Sequence, residues 1–261
     1  NGHVWYYRNL SSSSADYQLQ STEFLLGDMV DLGSNTDPEV IDVNGDGKQD
    51  LLIASDYLKN SSQYHRSRIN YFMQESNGSF TLIDDDFASL SNLQIVAANI
   101  ALGDMDADGD QDLIVGDGSG ALHYFENNPI AGVAEFTIAV SNYMAINVSS
   151  NASPEIVDLN DDGLPDLLVG NLLGSVHYFE NSGSFQNPFF SSTPTINELG
   201  GIDISAACCV GHAHPKMIEN TAFGNGKFLF VGSDEKRIDV FKVNEVLTNS
   251  FEHVDSLFFN A

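Results

Sequence analysis

Short apolar runs and alternating segments recur in a fixed order along the chain. The runs Leu51–Ala54, Leu113–Val115 and Leu167–Val169 contain only apolar residues, which is typical of strands covered on both faces. In the segments Gly120–Asn127 and Gly174–Asn181, alternate residues share one character, and this period of two indicates further strands. No helical periodicity is visible, so the chain is predicted to be all-β.

Each repeating unit is predicted to contain four antiparallel strands. Strand one precedes an Asp-rich loop, strand two is the apolar run, strand three is the alternating segment, and strand four is shorter and less regular. Strand four is predicted at Phe80–Ile83, Glu135–Ile138 and Phe189–Ser192. Four short strands in units of about fifty to sixty residues are typical of β-propeller blades.

Four units and a leading half unit are predicted, all within one propeller domain over residues 1–261. The half blade covers residues 1–30, and the blades cover about residues 36–88, 96–141, 152–193 and 213–260. The fourth unit lacks the aspartates in its loop, Asn220–Gly226, so no metal is expected there. We expect the chain to be a segment of a larger propeller. The alternative is a small ring in which strands from the end of the chain complete the half blade.

Three loops share the pattern D-x-[DN]-x-D-G-x-x-D: Asp42–Asp50, Asp104–Asp112 and Asp158–Asp166, here called loops 1, 2 and 3 with positions 1 to 9. Ca²⁺ takes about six to eight oxygen ligands, and side chains at positions 1, 3, 5 and 9 can surround one point. Position 7 adds a backbone carbonyl, and glycine at position 6 permits a sharp turn. The loops predict three Ca²⁺ sites. The alternative, Asp/Asn/Gly turns without metal, is weakened by the threefold repetition.

The predicted metal ligands occupy positions 1, 3, 5, 7 and 9 of each loop. They are Asp42, Asn44, Asp46, Lys48 and Asp50; Asp104, Asp106, Asp108, Asp110 and Asp112; and Asp158, Asn160, Asp162, Leu164 and Asp166. Position 7 supplies a main-chain carbonyl, which fits its variable side chains. Mg²⁺ suits the loops less because it requires a tighter octahedron and retains its waters. Loop 2 has four carboxylates at the side-chain positions against three in the others, so it is predicted to bind most tightly.

The net charge restricts the partners of the chain. It is −27, from 37 acidic and 10 basic residues, which argues against nucleic acid and anionic membranes. No apolar run approaches the ~18 residues of a membrane span, so direct membrane insertion is not expected. Calcium loops of this kind rarely fill in the cytosol, so a secreted, extracellular or cell-surface location is predicted.

These features together resemble the FG-GAP/VCBS repeat family of calcium-loop β-propellers, which includes the propeller of integrin α chains and many secreted bacterial proteins. The resemblance rests on P-x-[VI]-x-D-x-[ND]-x-D-G-x-x-D-L-[LI] and on G-x-[VL]-H-Y-F-E-N, and it covers about residues 24–243, most strongly 38–181. It implies a propeller with calcium bound by the loop residues named above. It implies no single activity, because members include adhesion modules, lectins and polysaccharide lyases. The fourth unit departs from the pattern, and no ligands are assigned to it.

Two further groups of residues have chemistry of their own. In Cys208–His214, three interpretations stay open: an interblade loop, a vicinal disulfide between Cys208 and Cys209, or a zinc or copper site that also uses His212 and His214. His123 and His177 share one position in the repeat. They are predicted to be structural and to contact a neighbouring blade.

The leading hypothesis for function is a non-catalytic binding or adhesion module for a glycan or an extracellular protein, stabilised by calcium. It is motivated by repeats without a recognised catalytic motif. One alternative is a calcium-dependent carbohydrate-active enzyme such as a lyase, which needs a basic residue to accept a proton. Lys59, Arg66 and Arg68 form the only dense basic group. Another alternative is a purely architectural segment of a large adhesin or filament.

Overall fold

β-Strands make up nearly all of the regular structure. The computed structural model describes residues 6–9, 17–21, 32–58, 65–205, 210–221, 224–233, 237–246 and 248–258. The strands are β1 (Tyr6–Asn9), β2 (Tyr17–Ser21), β3 (Ser34–Ile41), β4 (Asp50–Leu58), β5 (His65–Gln74), β6 (Phe80–Asp84), β7 (Asn99–Gly103), β8 (Asp112–Gly116), β9 (Leu122–Asn127), β10 (Phe136–Val140), β11 (Ser153–Val157), β12 (Asp166–Gly170), β13 (Val176–Phe179), β14 (His214–Thr221), β15 (Gly224–Ser233), β16 (Arg237–Glu245) and β17 (Ser250–Phe258). Short 3₁₀ segments lie at Phe87–Leu93, Tyr143–Ala145 and Leu199–Gly201.

The antiparallel sheets repeat one strand order. The sheets β3–β6, β7–β10 and β14–β17 have four strands each, and every strand lies beside its neighbours in sequence. Among the described residues, the sheet β11–β13 has three strands, and β1 and β2 form a two-stranded sheet. We call the four larger sheets blades 1 to 4. Repeated meanders of this kind are the arrangement of β-propeller blades, so the predicted all-β propeller class is confirmed.

Backbone contacts divide the chain into two compact units, Asn1–Asn99 with Asn128–Thr137 and Ile100–Asn127 with Ile138–Ala261. In the first unit, Leu51, Ile53 and Phe72 belong to one buried apolar cluster. In the second unit, one cluster joins the apolar faces of blades 2 and 3, and another joins those of blades 3 and 4. Each core is therefore built from the strand faces that the apolar runs predicted.

Burial falls from strand two to strand four of a blade. Every residue of β8 and of β12 is buried, as expected for apolar strands that are covered on both faces. In contrast, four of the five residues in β6 and in β10 are exposed. The weak pattern of strand four in the sequence therefore reflects its exposure in the fold.

Blade 3 lacks the outer strand predicted at Phe189–Ser192. Phe190 is buried in the core, but this segment forms no ladder with β13. Tyr178 instead donates its N–H to the Ile196 carbonyl (3.0 Å) and accepts a hydrogen bond from the Thr195 N–H (2.8 Å). Pro194, directly before these two residues, has no amide hydrogen and so cannot donate a bond that would extend the pairing toward Ser192.

The blades of the second unit are joined by the same backbone contact. The Ala152 N–H donates to the Asp117 carbonyl, and the Ala213 N–H donates to the Asn171 carbonyl, both at 3.0 Å. Each bond ties the segment that enters one blade to the turn that follows strand two of the preceding blade. Gly170 permits this close approach, because a Cβ there would lie 2.0 Å from the Ala213 carbonyl oxygen.

Some predictions fall on parts of the chain that the structure does not describe. Cys208 and Cys209 lie outside the described residues, as does Lys59. His212 and His214 are described, and their Nδ1 atoms lie 3.4 Å from Asn151 Nδ2 and 3.0 Å from Ser153 Oγ. Within the described ranges, no helix combines the length and the hydrophobicity needed to cross a bilayer.

Candidate metal centre

Loops 1, 2 and 3 share one backbone shape between strands one and two. Position 6 is glycine in every loop, with φ of 83° at Gly47, 97° at Gly109 and 85° at Gly163. Position 4 is also left-handed, with φ between 63° and 72°, although its residue type differs from loop to loop. The turn at position 6 was predicted, and the second left-handed residue at position 4 helps to fold the loop back on itself.

Side chains within each loop accept hydrogen bonds from its own backbone. One oxygen of the position-1 aspartate accepts the N–H of position 6, at 2.7, 3.2 and 2.9 Å in loops 1, 2 and 3. The position-5 aspartate accepts the N–H of position 7, at 2.9, 3.1 and 2.9 Å. These bonds restrain the side chains of positions 1 and 5 in each loop.

The position-9 aspartates lie beneath the loops. Asp50, Asp112 and Asp166 are buried, with at most 1% of each residue exposed. One oxygen accepts the N–H of position 2 at 3.0–3.2 Å, and the other accepts an N–H from the end of strand three at 2.8–2.9 Å. Each carboxylate therefore fastens its loop to strand three. Direct ligation of a metal by these three residues stays a prediction.

A tyrosine on strand three completes each position-9 site, and the sequence interpretation missed its role. The Tyr71 hydroxyl donates to Asp50 at 3.0 Å and the Tyr178 hydroxyl donates to Asp166 at 2.9 Å. Tyr124 bonds Asp112 in the same way. The available signal was that strand three has tyrosine, and never phenylalanine, at this position in blades 1, 2 and 3.

An asparagine at or just after the end of strand three also supports the loop in blades 2 and 3. The Nδ2 of Asn127 donates to the Gln111 carbonyl at 3.1 Å, and that of Asn181 donates to the Pro165 carbonyl at 3.2 Å. Both carbonyls belong to position 8. The shared Glu-Asn ending of the two strands was the sequence signal for this contact.

Loop 2 brings three carboxylates close enough together to surround a cation. Among the described residues, Asp104, Asp106 and Asp108 present oxygen atoms that all lie within 4.8 Å of one another. Three atoms no farther apart than this fit within a circle of at most about 2.8 Å radius, a size compatible with the roughly 2.3–2.6 Å of Ca²⁺–oxygen bonds. The donor set consists of oxygen atoms, as hard cations prefer.

The charges of loop 2 also favour a cation. Burial raises the pKa of Asp106 and of Asp110, and the nearby Asp108 carboxylate raises both further. Within the described part of the chain, Asp110 Oδ1 is buried and has no hydrogen-bond partner. A divalent ion would relieve this repulsion, so the residues of loop 2 fit calcium.

Burial disfavours the charged form of the position-9 aspartates in loops 2 and 3. Burial raises the pKa of Asp112 and of Asp166 to about 6, although hydrogen bonds from backbone and tyrosine donors act in the opposite direction. A cation in the loop above would favour their charged forms.

Loops 1 and 3 carry a weaker set of charges than loop 2. Position 3 is Asn44 or Asn160, whose Oδ1 accepts the N–H of position 5 at 2.9 and 3.1 Å. In loop 1, the Lys48 ammonium also hydrogen-bonds Asp46, and this contact lowers the pKa of Asp46. A metal ion in loop 1 would therefore compete with a cation of the chain itself.

The two repeated histidines each contact the turn of their own blade, whereas the predicted contact with a neighbouring blade stays a prediction. His123 Nε2 lies 3.0 Å from Asp117 Oδ2, and His177 Nε2 lies 3.0 Å from Asn171 Nδ2. The Asn171 oxygen accepts two backbone N–H groups, so its amide nitrogen must face the histidine. His177 Nε2 is therefore an acceptor, whereas Asp117 requires a proton on His123 Nε2.

The strand order and the repeated loop define a repeat protein of the β-propeller class. The FG-GAP-like repeat model matches residues 42–115 and again residues 104–169, which together contain loops 1, 2 and 3. The chain therefore carries FG-GAP-like repeats. A comparison with curated proteins finds no match.

Proposed function

We propose that the chain is a calcium-stabilised binding module that acts outside the cell or at the cell surface. The main support is the oxygen cluster of Asp104, Asp106 and Asp108, whose spacing suits Ca²⁺. The same backbone turns and hydrogen bonds recur in loops 1 and 3. Bound Ca²⁺ would supply the positive charge that lets these carboxylates converge, while the loop residues orient the oxygens and hold the turn between strands one and two.

Thermal unfolding tests the metal part of this proposal. An ion that binds only the folded chain raises the unfolding temperature by mass action. The melting temperature should therefore be higher in millimolar Ca²⁺ than in EDTA, and Mg²⁺ at equal concentration should restore less of the difference. Identical melting curves in Ca²⁺ and EDTA would count against the metal sites.

The binding function is supported by the repeat class and by the contacts that Arg66 and Arg68 make. Arg68 Nη1 lies 3.1 Å from Asp85 Oδ2, and its guanidinium lies 4.5 Å from the centre of the Tyr57 ring. Arg66 donates to Gln94 Oε1 at 3.2 Å. Arginines tied to neighbours in this way are poorly placed to accept a proton from a sugar. We therefore favour a non-catalytic module for a glycan or an extracellular protein over a lyase.

Two assays on the same preparation separate these functions. A glycan array and a binding screen against extracellular proteins, each with and without Ca²⁺, should reveal a ligand. An ultraviolet assay for unsaturated sugar products should stay flat with any glycan that binds. Product formation would establish the enzyme instead, and no ligand in either screen would favour an architectural role. Fractionation of cells that make the full-length protein would test its location.

A further inference from the structure

A lysine of blade 4 reaches into loop 3 of blade 3. The Lys227 ammonium donates to the Asp158 carbonyl at 2.6 Å, the Leu159 carbonyl at 3.2 Å and Asp161 Oδ1 at 2.7 Å. The Lys227 side chain is only 12% exposed, whereas that of Asp161 is 81% exposed. Two main-chain carbonyls and one carboxylate therefore hold a largely desolvated cation at this place.

The position of Lys227 in blade 4 explains why it is available for this contact. Val231 pairs with Pro215 in blade 4 as Val169 pairs with Pro154 in blade 3, so β15 and β12 are equivalent. Three residues before these valines, blade 3 has the position-9 aspartate Asp166 and blade 4 has Phe228. Lys227, one residue earlier, takes the place of position 8. Phe228 is 1% exposed. Blade 4 thus fills the position of the carboxylate with an aromatic ring and directs the neighbouring cation to loop 3.

Lys227 and a metal ion would use different atoms of loop 3. The predicted ligands are the side chains at positions 1, 3, 5 and 9 and the carbonyl of position 7. The lysine instead binds the carbonyls of positions 1 and 2 and the side chain of position 4. The two cations therefore do not compete for oxygen atoms, and each of them orders the same loop.

The position-2 carbonyl is also held in loop 1, by a different group. There the Val43 carbonyl accepts the N–H of Ala134 at 2.8 Å. A backbone donor is fixed by its own segment, whereas a lysine side chain can be replaced without changing the backbone. Loop 3 is therefore the place where this external support can be removed selectively.

We infer that Lys227 is a positioning residue that holds loop 3 in its metal-binding shape and couples the docking of blade 4 to the Ca²⁺ affinity of loop 3. This inference rests on the proposed calcium function. The charge of the lysine alone would oppose Ca²⁺, but Asp161 cancels that charge at 2.7 Å. The remaining effect is the order that the lysine imposes on the loop, so its removal weakens binding.

The test uses a charge-neutral double variant, Lys227→Met with Asp161→Asn, which removes the ion pair and keeps the net charge. The position-6 amides of Gly47, Gly109 and Gly163 each report on one loop in ¹⁵N-glycine spectra recorded during a Ca²⁺ titration. The Gly163 midpoint should move to about tenfold higher Ca²⁺, a typical coupling between sites. The midpoints of the two other loops should not change, and they show in the same sample that the chain is folded.

Two further variants serve as controls. Lys227→Arg keeps a cation that can reach the same carbonyls, so it should retain most of the Gly163 affinity. Arg68→Met with Asp85→Asn removes an ion pair of blade 1 and should leave Gly163 unchanged. Coupling between two sites is reciprocal, so Ca²⁺ in loop 3 should also stabilise the docking of blade 4. Ca²⁺ should therefore slow amide exchange in β14 and β15 more in the wild type than in the double variant at Lys227 and Asp161.

The outcomes separate this inference from the proposed function. An unchanged Gly163 midpoint in the double variant would overturn the role of Lys227. A parallel shift of all three loops would also overturn it, because it would show a general loss of stability. If none of the three glycines responds to Ca²⁺ in the wild type, the calcium function itself fails.

Discussion

Replacing Asp108 by asparagine would test whether loop 2 binds calcium. The substitution should leave the backbone of the metal-free loop unchanged. Asp108 occupies position 5, and its Oδ1 accepts the Asp110 N–H at 3.1 Å. An asparagine Oδ1 can accept the same hydrogen bond, so the backbone of the loop should be preserved. The substitution removes one negative charge from the cluster of carboxylates that would surround the ion.

The expected loss follows from the charges. A divalent cation and a carboxylate about 4 Å apart interact by about 2 kcal/mol in water, so the substitution should weaken binding roughly 30-fold. Calcium at 100 times its dissociation constant stabilises the folded chain by about 2.7 kcal/mol, and a 30-fold weaker site leaves about 0.9 kcal/mol. The difference of about 1.8 kcal/mol should lower the melting temperature by roughly 4–7 °C.

The assay is thermal unfolding of the wild type and of the Asp108→Asn variant, each in Ca²⁺ and in EDTA. The variant should be less stable than the wild type in Ca²⁺ but no less stable in EDTA, because loss of the Asp108 charge relieves its repulsion with Asp106 and Asp110. Asp85→Asn, which removes one exposed carboxylate elsewhere, should show no calcium-dependent difference. An equal loss of stability in both buffers would refute the reasoning, because Asp108 would then support the fold and not the ion.

Three further predictions concern the surroundings of the loops. Tyr178→Phe removes a donor from a buried carboxylate and should cost roughly 1–3 kcal/mol in urea unfolding. Gly170→Ala should destabilise the fold by roughly 1–3 kcal/mol, because the new Cβ would lie 2.0 Å from the Ala213 carbonyl oxygen. Gly232→Ala is the control, because there the nearest atom to the new Cβ is 3.7 Å away. Burial lowers the pKa of His177 from its usual 6.5, so the unfolded chain binds more protons. Stability should therefore fall as the pH drops below about 6.5, and less so in His177→Gln when urea unfolding is compared at each pH.

The loops and the inner strands could be predicted because their signals are local. The turn depends on glycine at position 6, and the strand after each loop is apolar because both of its faces are covered. The outer strand of blade 3 could not be predicted in the same way. Strand four lies on the surface, where few side chains are constrained by burial. Phe190 packs into the core as expected for a strand, yet the ladder contact forms at Ile196.

The support beneath the loops depends on contacts across strands, which a local pattern does not contain. Tyr178 is paired with Leu168 and lies diagonally across from Asp166, so its hydroxyl reaches the carboxylate. In the sequence, this tyrosine is typical of core packing. The partner of His177 was missed for a related reason, because the turn between β12 and β13 brings Asn171 back beneath its own strand.

Blade 4 indicates what the metal loops contribute to blades 1, 2 and 3. The place of the buried Asp166 is taken in blade 4 by Phe228, which is equally buried but needs no charge compensation. Burial of an aromatic ring stabilises this corner in any buffer, whereas a cation of the kind proposed would favour the charged form of a buried carboxylate beneath a ring of acidic residues. Blade 4 should therefore keep its own hairpin when calcium is removed, and it would feel the loss of calcium only through Lys227 and loop 3.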